Sequence, residues 1–107
     1  MKYKIFVIFD AELDLYDIYN YVEKNDSVQN ADSLLDKLEN AINGLQTLPL
    51  RGHTPPELER IAVLDYYEIH YKPYRIIYQV IDKNVYVHCI LDGRRDLQDL
   101  LEKRLLR

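Results

Sequence analysis

Apolar residues recur along this chain at two different periods. Ile5, Val7 and Phe9 share one side of a β-branched and aromatic run from Tyr3 to Phe9, which predicts a strand. From Asp10 the period lengthens, and Ala11, Leu15, Ile18 and Val22 fall at helical spacing, predicting a first helix that ends near Lys24. Asp10 is expected as its N-cap, with Glu12 and Asp14 favoured by the positive end of the helix dipole. Asn25-Asp26-Ser27 supplies turn and cap chemistry. Ala31, Leu34, Leu35, Leu38, Ala41, Ile42, Leu45 and Leu48 then form the clearest amphipathic stripe, with Pro49 expected to stop it. Two helices joined by so short a turn form an antiparallel hairpin whose apolar face needs a partner layer.

The second half supplies that layer. Residues 49–62 hold Pro49, Gly52, Pro55 and Pro56 without a sustained period and are read as a loop. Tyr67, Ile69 and Tyr71 alternate with Tyr66, Glu68 and His70, and Lys72-Pro73 turns the chain. Tyr74, Ile76, Tyr78 and Val80 then alternate with Arg75, Ile77, Gln79 and Ile81. Asp82-Lys83-Asn84 closes another hairpin. Strict alternation in the last strand puts Val85, Val87, Cys89 and Leu91 on one face and Tyr86, His88 and Ile90 on the other. Asp96 to Leu106 has the Leu97, Leu100, Leu101, Leu105 spacing of a terminal helix. The expected fold is α+β, an antiparallel β-sheet packed against an N-terminal α-helical hairpin in the order β-α-α-β-β-β-α. Residues 1–107 are read as a single domain.

Composition narrows the function classes. A chain of 107 residues can bury roughly two thirds of its unfolded surface around one core. No apolar stretch approaches the ~20 residues of a membrane span, and Ile5 to Phe9 is too short for a secretory signal, so no membrane association and a cytoplasmic location are expected. The net charge of −4 is divided unevenly: residues 1–50 carry four Lys/Arg and nine Asp/Glu, giving −5, whereas residues 51–107 carry ten and nine, giving +1. Sequence-independent nucleic-acid binding driven by a broad positive field is therefore not expected, and a local patch is left open. Cys89 stands alone in an apolar strand, so neither a disulfide nor a cysteine metal site is expected, and it reads as a small buried residue.

Arginines cluster where strands end, in Tyr74-Arg75-Ile76-Ile77-Tyr78 and Asp92-Gly93-Arg94-Arg95-Asp96-Leu97. A guanidinium is always charged and presents a planar fork of donors, so arginines on a rigid sheet suit phosphate or carboxylate groups. Each also has a structural reading: Arg75 can pair with Asp14 or Asp17, Arg94 and Arg95 with Asp92 and Asp96, and Arg51 can bind loop carbonyls. His70 and His88 share no metal-ligand spacing and His53 lies in a Pro-rich loop, so no metal and no cofactor is expected. A histidine sharing a cleft with Arg75 could act as a base. The ten tyrosines could stack on bases, but they also suit amphipathic packing.

Taken in order, Ala11 through Tyr21, Leu45 to Gly52, the strand pair Tyr67-Glu68-Ile69 and Tyr74 to Tyr78, and the closing Gly93-Arg94-Arg95-Asp96-Leu97 resemble toxins of the RelE/ParE superfamily of type II toxin-antitoxin modules. The resemblance covers nearly the whole chain. It implies a growth-inhibiting toxin neutralised by a cognate DNA-binding antitoxin whose flexible segment wraps its helices and sheet. One branch cleaves messenger RNA on the ribosome and the other poisons DNA gyrase. RNA cleavage needs a base, cationic donors and an acid. The residues after Arg95 include no His or Tyr, and Glu68, His70 and Gln79 replace the lysines of the nuclease branch. The terminal helix and acidic charge resemble the ParE branch more, which implies gyrase inhibition and plasmid stabilisation, with Arg75, Arg94, Arg95, Arg104 and Arg107 as target-binding residues. The alternative is a ribonuclease using His70 or His88 as base with Arg75 and Arg94 as phosphate donors. A third reading is a non-toxic, antitoxin-binding protein of the same fold.

Overall fold

A computed structural model of the chain describes residues 2–106. Its elements are β1 (Lys4–Val7), α1 (Phe9–Asn25), α2 (Val28–Asn43), α3 (Pro56–Glu59), β2 (Tyr67–Tyr71), β3 (Tyr74–Ile81), β4 (Asn84–Asp92) and α4 (Gln98–Leu105). The α+β class and the expected order of the long elements hold. One four-stranded sheet runs β1-β4-β3-β2. Its three consecutive strands are antiparallel as expected, and β1 joins in parallel beside β4, with Val7 opposite Val87. The helical hairpin begins the long connection that carries the chain from β1 at one edge to β2 at the other, and the two antiparallel turns that follow bring β4 beside β1 in the same direction.

Local details depart from the periodicity. Helix α1 begins at Phe9 with Ile8 as N-cap, so Asp10 lies inside the first turn, where its charge meets the dipole without a capping bond. Ser27 does cap α2, accepting from the Asn30 amide. That helix ends at Asn43, before Pro49, because the chain tightens into a 3-10 turn over Gly44–Gln46 that keeps Leu45 buried. Residues 49–62 are not wholly loop: Pro55 and Pro56 fix the backbone for the single-turn helix α3, which buries Leu58.

The sheet has an apolar layer on each face. Leu38, Ile42 and Leu45 pack with Ile69, Ile76, Tyr78, Val85, Val87 and Ile90 beneath the hairpin. Leu58 of α3 and Leu97 and Leu101 of α4 pack with Ile77, Cys89 and Leu91 on the opposite face. Cys89 and Leu91 therefore do not share a face with Val85 and Val87. A bulge causes the swap: Tyr78 pairs with Val87 but Ile77 pairs with Cys89, leaving His88 as the extra residue and reversing the alternation beyond it.

The bulged strand is held from its open side. Among the described residues no strand pairs with β4 on the β1 side beyond Val87, and there the Ile90 amide donates to Asp14 Oδ2 while Arg104 Nη2 donates to the His88 carbonyl. Arg104 also donates through both terminal nitrogens to Asp14, at 3.2 and 3.0 Å, so α4 and α1 are clasped around the bulge.

Gly52 sits where the loop crosses β2. A Cβ there would lie 2.5 Å from the Glu68 carbonyl oxygen and 2.8 Å from the Tyr78 hydroxyl, and the His53–Glu68 bridge beside it is closed by two backbone hydrogen bonds. Gly52→Ala is expected to lower stability by about 1–3 kcal/mol, as overpacking does. Denaturant unfolding checks this, and an unchanged midpoint would contradict the close approach.

Candidate functional site

The arginine of the central strand is tied to two carboxylates. Arg75 Nε donates to Glu68 Oε1 at 2.6 Å, and its two terminal nitrogens donate to Glu57 at 2.7 Å each. Its side chain is 12% exposed and that of Glu68 only 1%. The pairing with Asp14 or Asp17 does not occur, because Arg75 alternates onto the face covered by α3 and α4, away from α1. Gly93 leaves room for the arginine stem, since a Cβ there would lie 2.8 Å from Arg75 Cδ. The hydrogen bonds from Arg75 hold the Glu57 carboxyl below its ordinary range against the opposing effect of burial. The same bonds, first those to Glu57 and then the one to Glu68, raise Arg75 further above its already high value.

Two histidines complete this cluster. His53 Nε2 lies 3.0 Å from Glu68 Oε2 and His70 Nε2 lies 3.5 Å from Oε1. Their rings meet edge to face with centroids 5.3 Å apart. His53 and His70 are remote in the chain, yet the loop passing through Gly52 places the first directly opposite Glu68. Sequence periodicity put Glu68 on a strand face but did not reveal His53 or Glu57 as neighbours, because both arrive from the irregular segment.

The second arginine group is exposed. Arg94 donates through Nε and Nη2 to Asp92, at 3.0 and 2.6 Å, and is 74% exposed. These bonds pull the Asp92 carboxyl down to about 2. Arg95 is exposed and makes no ion pair among the described residues, while Asp96 instead accepts from the Gln98 amide at the start of α4. Arg94 and Arg95 border a cleft of about 330 Å3 with Asp17, Tyr21, Tyr74 and Asp92. Arg94 also borders a second cleft of about 300 Å3 with His70, Lys72, Tyr74 and Arg75. Three of the four ribonuclease candidates, His70, Arg75 and Arg94, therefore share one cleft.

His88 lies outside that cleft's lining. Its Nε2 is 2.9 Å from Gln79 Oε1 and its ring meets Tyr66 edge on, at 5.5 Å between centroids. Burial, and secondarily Arg104, push its pKa down, so it is neutral near pH 7. Arg104 is turned inward onto Asp14, and Arg107 lies outside the described residues. Arg51 is exposed, and its backbone amide, rather than its guanidinium, reaches the Leu48 carbonyl. Cys89 is buried as expected, and that burial raises its thiol to about 12.

The depressed Glu57 pKa fixes the sign of an acid effect. Stability from its pairing is fully present above the ordinary value of 4.5 and is lost as pH falls through the lower folded-state value. Glu57→Gln is expected to flatten the decline of stability below pH 4.5 while lowering stability at neutral pH. Denaturant midpoints across pH 2–7 measure this, and an unaltered acid slope would contradict the pairing.

Residues 10–97 match the family described as the ParE toxin of the type II toxin-antitoxin system parDE. No sequence among the curated proteins is significantly similar to the chain. Among solved structures, the chromosomal ParDE toxin-antitoxin system of P. aeruginosa aligns at 16% identity with a TM-score of 0.70, covering 83% of this chain and 94% of that one. The RelBE2 toxin-antitoxin complex of Mycobacterium tuberculosis aligns at 17% identity and TM-score 0.62, covering 84% and 96%. A doubly substituted E. coli toxin RelE in its free state aligns at 16% identity and TM-score 0.66, covering 100% and 98%. At these identities the structural likeness concerns the fold. The match over residues 10–97 settles the family, and the chain belongs to the ParE toxins of type II toxin-antitoxin systems.

Proposed function

We propose that this chain arrests growth by binding DNA gyrase in the cytoplasm, that a cognate DNA-binding antitoxin neutralises it, and that the pair stabilises a plasmid. The ParE match over residues 10–97 carries this reading. The arrangement of arginines supports binding over catalysis. Arg75 and Arg104 are both largely enclosed by carboxylates of the same chain, whereas Arg94 and Arg95 stand exposed beside Tyr21 and Tyr74. Arginine and tyrosine are the residue types that most often anchor a protein interface. The Arg94–Asp92 pair does not forbid this use, because an exposed ion pair is worth only about 0–1 kcal/mol and is readily exchanged.

Antitoxin docking is proposed at the other end of the sheet. Strand β1 is an edge. Beside it Phe6, Phe9, Leu13 and Tyr16 are exposed, and Phe9 is 70% so. An unpaired edge with apolar side chains at strand and helix spacing suits strand addition or a helix laid in a groove. Among the described residues no helix is long and apolar enough to cross a membrane.

One observation favours the ribonuclease reading: His70, Arg75, Arg94 and Lys72 share a cleft, so a base and cationic groups are within one surface. In that reading His70 takes the 2′-hydroxyl proton, the 2′-oxygen bonds to phosphorus as the P–O5′ bond breaks, the arginines meet the phosphate charge and solvent protonates the leaving 5′-oxygen, while His88 stays outside. The two readings differ in target, and purified gyrase separates them. The protein is expected to inhibit supercoiling, and Arg94→Ala with Arg95→Ala is expected to weaken inhibition by about tenfold or more, the factor given by losing about 1.4 kcal/mol. Undisturbed gyrase together with codon-positioned cuts in translated messenger, abolished by His70→Gln, would establish the nuclease instead. Absence of both effects and of growth arrest would leave an antitoxin-binding fold without toxicity.

A further inference from the structure

We propose that His53, Glu68 and His70 form a zinc-binding site at the edge of the sheet. One ring nitrogen each of His53 and His70 and a Glu68 carboxylate oxygen all lie within 4.8 Å of one another. Tetrahedral zinc with bonds of about 2.0–2.1 Å sets neighbouring ligand atoms about 3.3 Å apart. His53 Nε2 lies 3.0 Å from Glu68 Oε2 and His70 Nε2 lies 3.5 Å from Glu68 Oε1, so each imidazole stands near that spacing from one of the two carboxylate oxygens. Two imidazoles and one carboxylate suit zinc, whereas magnesium and calcium prefer oxygen alone.

The backbone prepares this arrangement. Glu68 and His70 are two apart on β2 and so share a face. His53 is fixed opposite Glu68 by paired hydrogen bonds, from its amide to the Glu68 carbonyl at 3.1 Å and from the Glu68 amide to its carbonyl at 2.7 Å. The carboxylate is 1% exposed and is oriented by Arg75 from behind, the kind of outer support that ligating carboxylates receive in metal sites. Glu57 binds both terminal nitrogens of Arg75 and offsets its charge, which reduces repulsion of a cation. The imidazoles are 59% and 42% exposed, so zinc can enter from solvent and keep a water as its fourth ligand. Binding pins the segment around Gly52 to β2.

Titration of ZnCl2 into the metal-stripped full chain, with thermal unfolding in parallel, tests the site. One equivalent of zinc is expected to bind and to raise the unfolding temperature, while MgCl2 has no such effect. His53→Gln and His70→Gln each keep a hydrogen-bond donor for Glu68 but remove an imidazole ligand. Each is expected to weaken zinc binding by at least about tenfold, a loss that even outer partners of a metal site produce. His88→Gln, which changes the other histidine, is expected to leave zinc affinity unchanged. No binding by the parent chain, or binding that survives both His53→Gln and His70→Gln, would overturn the proposal. Equal weakening by His88→Gln would do the same, because it would indicate diffuse histidine binding.

Discussion

A buried carboxylate on β2 sets the terms for the arginine-rich face of this toxin. Glu68 is the buried charged residue among those described, and Arg75 reaches it from the neighbouring strand. Leaving such a charge unpaired costs several kcal/mol, so the positions of both strands and of α3, which contributes Glu57, are coupled. Arg75 consequently joins three elements through one guanidinium: β3, which carries it, β2 through Glu68, and α3 through Glu57. The apolar residues Leu58, Ile77, Leu97 and Leu101 pack on the same face of the sheet. Hydrophobic burial supplies the driving force there, and the ion network fixes which way the strands and the short helix face.

A second clasp operates on the other side of β4. The bulge at His88 turns Cys89 and Leu91 toward α4 and leaves Ile90 for the helical hairpin. Its backbone groups find partners in Asp14 and Arg104, which themselves pair. An arginine in the terminal helix thus has a structural role that its place in a basic C-terminal segment did not suggest. Of the arginines expected from the sequence to bind a target, Arg94 and Arg95 are the exposed ones among the described residues.

The long elements were legible because their periods are sustained. The α2 stripe from Ala31 to Ile42, the Ser27 cap and the tyrosine-rich hairpin appear where the sequence predicts them, whereas Leu48, expected on the same stripe, lies beyond the helix and is exposed. The face exchange in β4 was not legible, since a bulge inserts a single residue and local alternation continues on either side. Likewise α3 is one turn long and offers no period to read. The partners of Arg75 were misassigned for a related reason: Asp14 and Asp17 are conspicuous on α1, but the strand face that Arg75 occupies looks the other way. The convergence of His53 on Glu68 depends on a loop crossing at Gly52, a tertiary fact with no repeat to announce it. Arg94 and Arg95 were recognisable from their position after the last strand, although only the fold separates them from the enclosed Arg75 and Arg104.

The central distinction is between arginines that hold the fold and arginines that meet a target. A paired measurement of thermal unfolding and growth arrest, on Arg75→Ala beside the double change Arg94→Ala and Arg95→Ala, tests it most directly. Arg75→Ala is predicted to lose about 3–5 kcal/mol of stability, as loss of one partner of a buried ion pair does. The double change is predicted to keep the parent unfolding temperature and lose growth arrest. Full toxicity of the double variant at normal protein levels, or Arg75→Ala at parent stability, would contradict the account.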